Sequence, residues 1–258
     1  MRIAVCAKQI PDPADEPVFD PATRRLVRSG PLVLDESDAY GVEMALRLAE
    51  QVGGDVTAVS VAPGGEVAGL RTALAMGVQQ AVLVSDPGLA GLDALGTAKV
   101  LAAVMRRIGA DLVLAATEST DGYTGTVPVQ LAELLSYPAV TFAKHVELRD
   151  GALHLERQTE AGFDEVTCTT PAVVTVTAGV VEVRYPTLKG IMSARSKPVE
   201  ELTAADLGLD PAALGGAAAG QELLSIEAAE VRAAGSVVTD DGAGHQAIIE
   251  ALEAWKII

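Results

Sequence analysis

The sequence predicts an α/β fold: a Rossmann-like parallel sheet with flanking helices, then an antiparallel strand meander and a C-terminal helical arm. Three observations carry that prediction. Short apolar runs rich in Val, Ala and Leu recur at Arg2–Ala7, Asp55–Val61, Ala81–Val84 and Asp111–Ala116, continuous rather than alternating, as strands buried on both faces are. A segment of helical period separates each run from the next, and the connections are short, the pattern of a parallel sheet covered on both sides. After Pro138 the pattern changes to successive strand-like runs with turns at Asp150-Gly151 and Ala161-Gly162, pairs suited to antiparallel neighbours.

In chain order, the first strand stops at Lys8-Gln9-Ile10-Pro11-Asp12-Pro13, where two prolines are expected to break regular structure. Phe19 to Arg28 reads as an extended excursion or hairpin that closes at Ser29-Gly30-Pro31. Leu34-Asp35-Glu36-Ser37-Asp38 leads into a helix with Val42, Ala45, Leu46 and Ala49 at helical spacing and Gly53-Gly54 at its end. A helix from Val67 to Met76 ends at Gly77, an expected left-handed C-cap. A longer one runs from Asp93 to Ile108 and closes at Gly109. The Asp111–Ala116 strand enters a hydroxyl-rich loop, Thr117 to Thr126, and Val127 opens the next helix. Ala139–Leu148, Leu153–Glu160, Glu165–Thr169 and Ala172–Thr177 make up the expected meander, 139–177. Residues 210–220 are rich in Ala and Gly and read as a flexible link. A last amphipathic helix, His245 to Ile257, aligns Ile248, Ile249, Leu252 and Trp255, a stripe that must pack on its own domain or on a partner chain. The chain thus divides into a domain over 1–209 and a linker with a terminal arm over 210–258.

Composition narrows function before any motif does. With 258 residues the chain is long enough to bury a sizeable core. Hydrophobic residues make up 49% and aromatic ones only 3%, so that core is aliphatic. The net charge of −16 argues against nucleic acid and against anionic membrane surfaces, both of which are bound by clustered Lys and Arg. No apolar run reaches membrane-spanning length and the N-terminus enters a strand pattern directly, so a cytoplasmic protein without membrane insertion is expected. Cys6 and Cys168 lie in apolar runs without CxxC or Cys/His spacing, which points to buried free thiols and to neither disulfide nor zinc.

No catalytic set assembles. The nucleophile elbow, HExxH, the P-loop lysine motif and GxGxxG are all absent. His145 and His154 fall on the meander and His245 flanks the last helix, places for solvated or structural imidazoles. A binding fold is expected, not an enzyme. The loop Thr117–Thr126 has two readings: an anion held by the free N–H groups at the following helix start, or an ordinary turn capped by Thr124 or Thr126. The segment Arg184–Lys197 sets Leu188, Ile191 and Met192 among Arg184, Lys189, Arg195 and Lys197. It is either a charge-complementary docking patch or an interdomain loop with Leu188 and Ile191 buried. Arg157 either reaches a phosphate or flavin edge or keeps its head in water, and Arg71 is expected to pair with an acidic neighbour on its helix.

Several stretches together resemble the electron-transferring flavoprotein β subunits of the FixA type. They are Val5-Cys6-Ala7-Lys8, Leu70 to Gly77, Leu155-Glu156-Arg157 with Gly162 and Asp164, Pro171-Ala172-Val173-Val174-Thr175, and Arg184-Tyr185-Pro186-Thr187-Leu188-Lys189-Gly190-Ile191-Met192. The resemblance spans Met1 to Leu209. It implies an adenine-nucleotide-binding type of α/β domain and a heterodimer with an α subunit that holds the redox-active FAD. A structural AMP sits in β, or a second FAD in electron-bifurcating relatives. It implies electron transport, as in fatty acid β-oxidation, from acyl-CoA dehydrogenase-type flavoenzymes to a quinone oxidoreductase or another acceptor. By the same resemblance the nucleotide pocket uses Cys6, Ala7, Asp35, Ser37, Asp38, Val61, Thr117, Ser119, Thr120, Asp121, Gly122, Tyr123, Thr124, Gly125 and Thr126. Amides of Tyr123, Thr124 and Gly125 cradle the phosphate. Leu188, Ile191, Met192, Arg195 and Lys197 form the partner-recognition segment, 184–197, and Arg157 lies near the flavin and subunit interface. The chain departs from the family where relatives read Asn-Pro-aromatic in place of Asp35-Glu36-Ser37, and its loop is shorter. Asp35, Glu36 and Glu118 repel a phosphate unless turned away. A stand-alone adenine-nucleotide-sensing module on the same sheet is the contrasting expectation.

Overall fold

The computed structural model describes residues 1–28, 30–227, 235, 237–240 and 242–258. Its elements are β1 (Arg2–Cys6), β2 (Gln9–Pro11), β3 (Leu32–Leu34), α1 (Glu36–Val52), β4 (Asp55–Val61), α2 (Ala68–Met76), β5 (Gln80–Val84), α3 (Ala94–Ile108), β6 (Leu112–Ala116), α4 (Val127–Leu135), β7 (Ala139–Arg149), β8 (Ala152–Thr159), β9 (Gly162–Cys168), β10 (Ala172–Val176), α5 (Leu188–Ser196), β11 (Glu200–Leu202) and α6 (Gly244–Ala254). Among the described residues the main sheet has nine strands in the order β11-β5-β4-β1-β6-β10-β7-β8-β9. Every pair from β11 to β7 is parallel, and β7-β8-β9 is an antiparallel meander. The chain builds outward from β1 to β4 and β5, then crosses through α3 to place β6 on the other side of β1. That reversal of direction is the switch point at which open α/β sheets form a crevice at the strands' carboxyl ends.

The pleat divides each continuous apolar run between two cores. Ile3, Val5, Leu112, Leu114 and Val174 pack with α1 and α2 through Val42, Ala45, Leu70 and Leu74. Ala4, Val113 and Val173 face the opposite way and pack with Val100, Val104 and Leu131 of α3 and α4. α1 lies on the sheet at Gly41, where a Cβ would make an ordinary contact with Val5 at 3.4 Å.

The helix ends follow the expected chemistry. Asp35 and Asp93 cap α1 and α3 through the N–H groups of Ser37 and Gly96, and Gly53 and Gly109 end them in left-handed conformations. Gly77 ends α2 at φ 130°, outside the left-handed helical well that was expected, though still a conformation open chiefly to glycine.

Several elements differ from the sequence reading. Gln9–Pro11 forms a strand with Leu32–Leu34 despite its proline, because Pro11 sits at the end of a two-stranded edge. The Phe19–Arg28 excursion narrows to a single antiparallel bridge, Phe19 to Leu26. Ser29, expected at its close, lies outside the described residues. The Ala172–Val176 strand is no part of the meander: it inserts between β6 and β7 and runs parallel to both. Its five buried residues are what that central position demands.

Residues 210–220 are not a free link. Asp210 caps a 3-10 turn over Pro211–Ala213, Leu214 is buried, and the Gly220 N–H reaches Asp93 at 2.7 Å. The first compact unit accordingly runs from Met1 to Glu222, and Leu223–Ile258 is a second. In the second, α6 has no buried residue. Positions 228–234, 236 and 241 of the expected arm lie outside the described residues.

Candidate functional site

At the switch point the backbone leaves β1 at Ala7 and Lys8 and leaves β6 at Thr117. The Ala7 N–H still donates to Val59 (2.8 Å), and the Thr117 N–H to Val176 (3.2 Å), so both strand ends are held in the sheet. Cys6 and Val61 end β1 and β4 at the same carboxyl edge. Cys6 is half-buried where full burial was expected, while Cys168 is buried. Desolvation of its sulfur pushes the Cys6 thiol up to about 12, with the nearby Asp38 charge adding to it, so the sulfur is neutral.

Three carboxylates organise the space between these strand ends. Asp35 is fully buried; one of its oxygens accepts the Ser37 N–H (3.0 Å) and the other the Thr120 N–H (2.8 Å). A helix cap thereby doubles as the staple of the loop. Asp38 accepts the Lys8 N–H at 2.6 Å, and burial raises its carboxyl to about 7, with the Asp35 charge pushing in the same direction. Asp121 takes the two cations that reach the loop. Its Oδ1 is 2.6 Å from Lys8 Nζ and its Oδ2 pairs with the Arg28 guanidinium. Burial alone would raise Asp121, but the two cations outweigh it and hold the carboxyl below its usual range. Lys8 Nζ also donates to Ser119 Oγ at 3.0 Å.

The far end of the loop is open. Tyr123 adopts φ 48° and Gly125 φ 61°, and these left-handed turns re-aim the amides that follow. The Tyr123 N–H is used internally on Ser119 O (3.0 Å), so it is withdrawn from the expected cradle. Among the described residues, the N–H groups of Thr124, Gly125, Thr126 and Val127 meet no acceptor, and Thr126 makes no side-chain cap on α4. Four free donors at a helix start can hold an anion. Gly122 lies beneath Lys8, whose Nζ would be 3.7 Å from a Cβ at that position. Glu36 and Glu118, both potentially repulsive to an anion, are exposed at the rim.

The second site is α5. Leu188 is 75% exposed, Met192 65% and Ile191 43%, and Tyr185 just before them is 93% exposed. The interdomain-loop reading therefore fails, and so does the expectation of a loop: Thr187 caps a helix by accepting the Gly190 N–H at 3.0 Å. Among the described residues Arg71 pairs with no acidic neighbour. It donates to the carbonyls of Ala194 (2.7 Å) and Lys197 (2.5 Å), closing the C-terminal end of α5. Lys197 is turned inward in exchange, its ammonium on the carbonyls of Val78 (2.7 Å) and Leu74 (3.3 Å) at the end of α2. Its charge is thus removed from the exposed patch. Arg184 leaves the patch as well, bound to Glu43 at 2.6 Å and to Glu50 at 2.8 Å. Of the basic residues expected to steer a partner, Lys189 and Arg195 remain on the surface.

The family model for the electron transfer flavoprotein domain matches residues 23–207. Full-length similarity decides the subunit. The electron transfer flavoprotein subunit beta of Mycobacterium tuberculosis strain H37Rv is 37% identical over 264 residues, covering 100% of this chain and 99% of that protein. This chain belongs to the electron transfer flavoprotein β-subunit family. The corresponding subunit of Thermoanaerobacterium thermosaccharolyticum is 35% identical over 261 residues and 100% of both chains. The caffeyl-CoA reductase-Etf complex subunit CarD of Acetobacterium woodii is 36% identical over 218 residues, 83% of each.

As a β-subunit family member, the chain brings the expected loop residues Asp35, Asp38, Ser119, Thr120 and Asp121 together in one hydrogen-bonded knot. It leaves Thr124, Gly125 and Thr126 facing out. Arg157 lies apart from that knot, in β8, where it stands opposite Ala143 and Asp164 and is exposed. Sequence reasoning set Lys8 at the ligand edge of the sheet without giving it a role, and it missed Arg28 as a site residue. Lys8 had a signal, since it directly follows a strand that ends at the edge. Arg28 had none: it arrives from a hairpin excursion whose path no periodicity describes. Among the described residues no helix is long and apolar enough to cross a membrane.

Proposed function

We propose that this chain is the β subunit of a heterodimeric electron-transfer flavoprotein. In this reading an α subunit holds the FAD that does the redox chemistry, and β carries electrons no further than by presenting that flavin to partners. The observation that supports it best is α5: three apolar side chains held out to solvent on a helix clamped at both ends. Exposed apolar anchors on a rigid support are the usual core of a docking site, and the remaining cations, Lys189 and Arg195, orient an acidic partner surface. Acyl-CoA dehydrogenase-type flavoenzymes are the proposed donors and a quinone oxidoreductase the proposed acceptor. A shuttle of this kind needs no acid–base or nucleophilic set of its own.

The crevice at the switch point is the proposed place for a structural AMP. Thr124 to Val127 offer unfilled amides for its phosphate and Asp35 is turned onto backbone N–H groups, while the Glu118 carboxylate stays beside Gly125, 3.6 Å from where a Cβ would stand. Phosphate held there fastens the loop to the start of α4. Co-expression with the α chain, purification and chromatographic identification of the released nucleotides test the assembly. One FAD and one AMP per heterodimer are expected, two FAD would place the chain among the bifurcating type, and a flavin-free chain indifferent to α would sink the reading. Leu188→Ala tests the docking. Loss of one central apolar anchor costs about 1.4 kcal/mol or more, which is about tenfold in kcat/KM for reduction by the dehydrogenase. Flavin content and heterodimer yield should not change, and an unaltered rate would remove Leu188 from the docking role.

A further inference from the structure

We propose that Asp121 acts as an internal substitute for a ligand phosphate, so that the loop site of this chain discriminates little between an adenine nucleotide and its nucleoside. The inference rests on the nucleotide-site reading above and concerns what that site selects.

The arrangement around Asp121 is that of an anion-binding site already filled by the protein. Both basic groups that reach the loop end on this carboxylate, one on each oxygen: Lys8 Nζ on Oδ1 at 2.6 Å, and the Arg28 guanidinium on Oδ2. The carboxylate is 6% exposed, whereas Lys8 and Arg28 are 41% and 38% exposed, so the anion lies beneath its cations. A third donor, the Thr120 N–H, is taken by Asp35. Two positive charges on one carboxylate are a donor set that would serve a phosphate dianion well. Here, however, Asp121 neutralises one charge, and Asp35 sits behind the amide. Glu118 and Glu36 are exposed, and among the described residues neither pairs with a cation. A phosphate entering the loop therefore finds no unpaired side-chain cation among the described residues and keeps only the amides of Thr124 to Val127 and the positive end of α4. Displacing Asp121 would give it the cations but leave a carboxylate with 6% exposure unpaired, and an unpaired buried charge is costly.

The test uses the purified heterodimer stripped of nucleotide and titrated calorimetrically with AMP and with adenosine. Within each variant the ratio of the two affinities cancels any general change in the pocket. The wild type should bind AMP no more than about threefold better than adenosine. Asp121→Asn frees Lys8 and Arg28, and the ratio should rise about tenfold or more and fall again as salt is added. Removing the freed cation as well, in Asp121→Asn with Lys8→Gln, should return the ratio toward the wild-type value. If the Asn variant fails to fold, Asp121→Ser reads the same ratio. A ratio in the Asp121 variant no higher than in the wild type overturns the inference and leaves the nucleotide site standing. Binding of neither AMP nor adenosine to any variant overturns the nucleotide-site reading itself, and the inference with it.

Discussion

Asp38 and Glu43 both point from α1 into the protein, but Glu43 forms ion pairs there while the Lys8 charge near Asp38 is outweighed by burial. Burial works to raise Glu43, yet Arg184 at 2.6 Å and Arg47 at 2.7 Å outweigh it and hold the carboxyl below its ordinary value. Asp38 has the Lys8 N–H and a neighbouring Asp35, and burial lifts it to about 7. The two groups therefore give stability opposite pH dependences. Glu43 stabilises most above the usual glutamate range, and its contribution fades as pH falls through the lowered folded value. Glu43→Gln should cost about 1–3 kcal/mol at pH 7, because Arg184 loses a buried charged partner. The gap should close in acid, and urea midpoints at pH 7 and in acid check this. Asp38 behaves conversely: its contribution is fully present below the unfolded value near 3.8 and is lost as pH rises through about 7. Asp38→Asn imitates the protonated form, so its stability relative to wild type should improve by at least about 1.4 kcal/mol between pH 4 and pH 7. A relative stability flat across that range would show that Asp38 titrates normally.

At the scale of elements, what the sequence made legible were those whose evidence is local. The capped helices α1 and α3 and strands β4, β5 and β6 follow from periodicity and from Asp and Gly at their ends. Two elements depended on distant partners instead. The Ala172–Val176 run is five apolar residues in a row, which fits a buried parallel strand, but its place between β6 and β7 is set by long crossovers that no turn dipeptide announces. Helix α5 has too few apolar neighbours on one face to read as a helix, and nine residues are too short to stand alone. It is held by α2: Gly190 lets its backbone meet the Ala75 carbonyl, where a Cβ would clash, and Arg71 closes its far end. Arg71→Ala should leave the thermal midpoint within a few degrees, as expected for a loss of about 1 kcal/mol. Amide exchange across Leu188–Ser196 should nevertheless accelerate about tenfold, since local opening is what the clamp opposes. Dehydrogenase-driven reduction should slow with it, while bound nucleotide stays constant. Unchanged exchange in α5 would mean that its packing on α2, not the Arg71 bonds, sets its order.

For the whole molecule, the sheet's change of direction at β1 explains why the loop site lies between β1 and β6, and the boundary at Glu222 explains what remains without a core. Unit 1 closes over both of its cores and tucks Leu214 and Gly220 against itself. Within residues 223–258, α6 spans 11 residues with none buried, and Ile248, Ile249, Trp255, Ile257 and Ile258 are exposed. A helix of that length is marginal in water on its own and is stabilised by tertiary burial of an apolar face. An apolar stripe of Ile and Trp is also large enough to supply the centre of a protein interface, where such residues concentrate. On the heterodimer reading the α subunit is the surface that covers it. A chain ended after Glu222 should then fold with the same cooperative melt for unit 1, because no core residue has been removed. Its capture of co-expressed α should fall at least about tenfold, the equivalent of about 1.4 kcal/mol of lost interface energy. Trp255→Asp in the full chain should reproduce most of that loss without shortening anything, separating the apolar stripe from the mere length of the arm. Retention of α by the shortened chain at the full-length yield would place the subunit contact on unit 1 and leave the exposed stripe of α6 to some other partner.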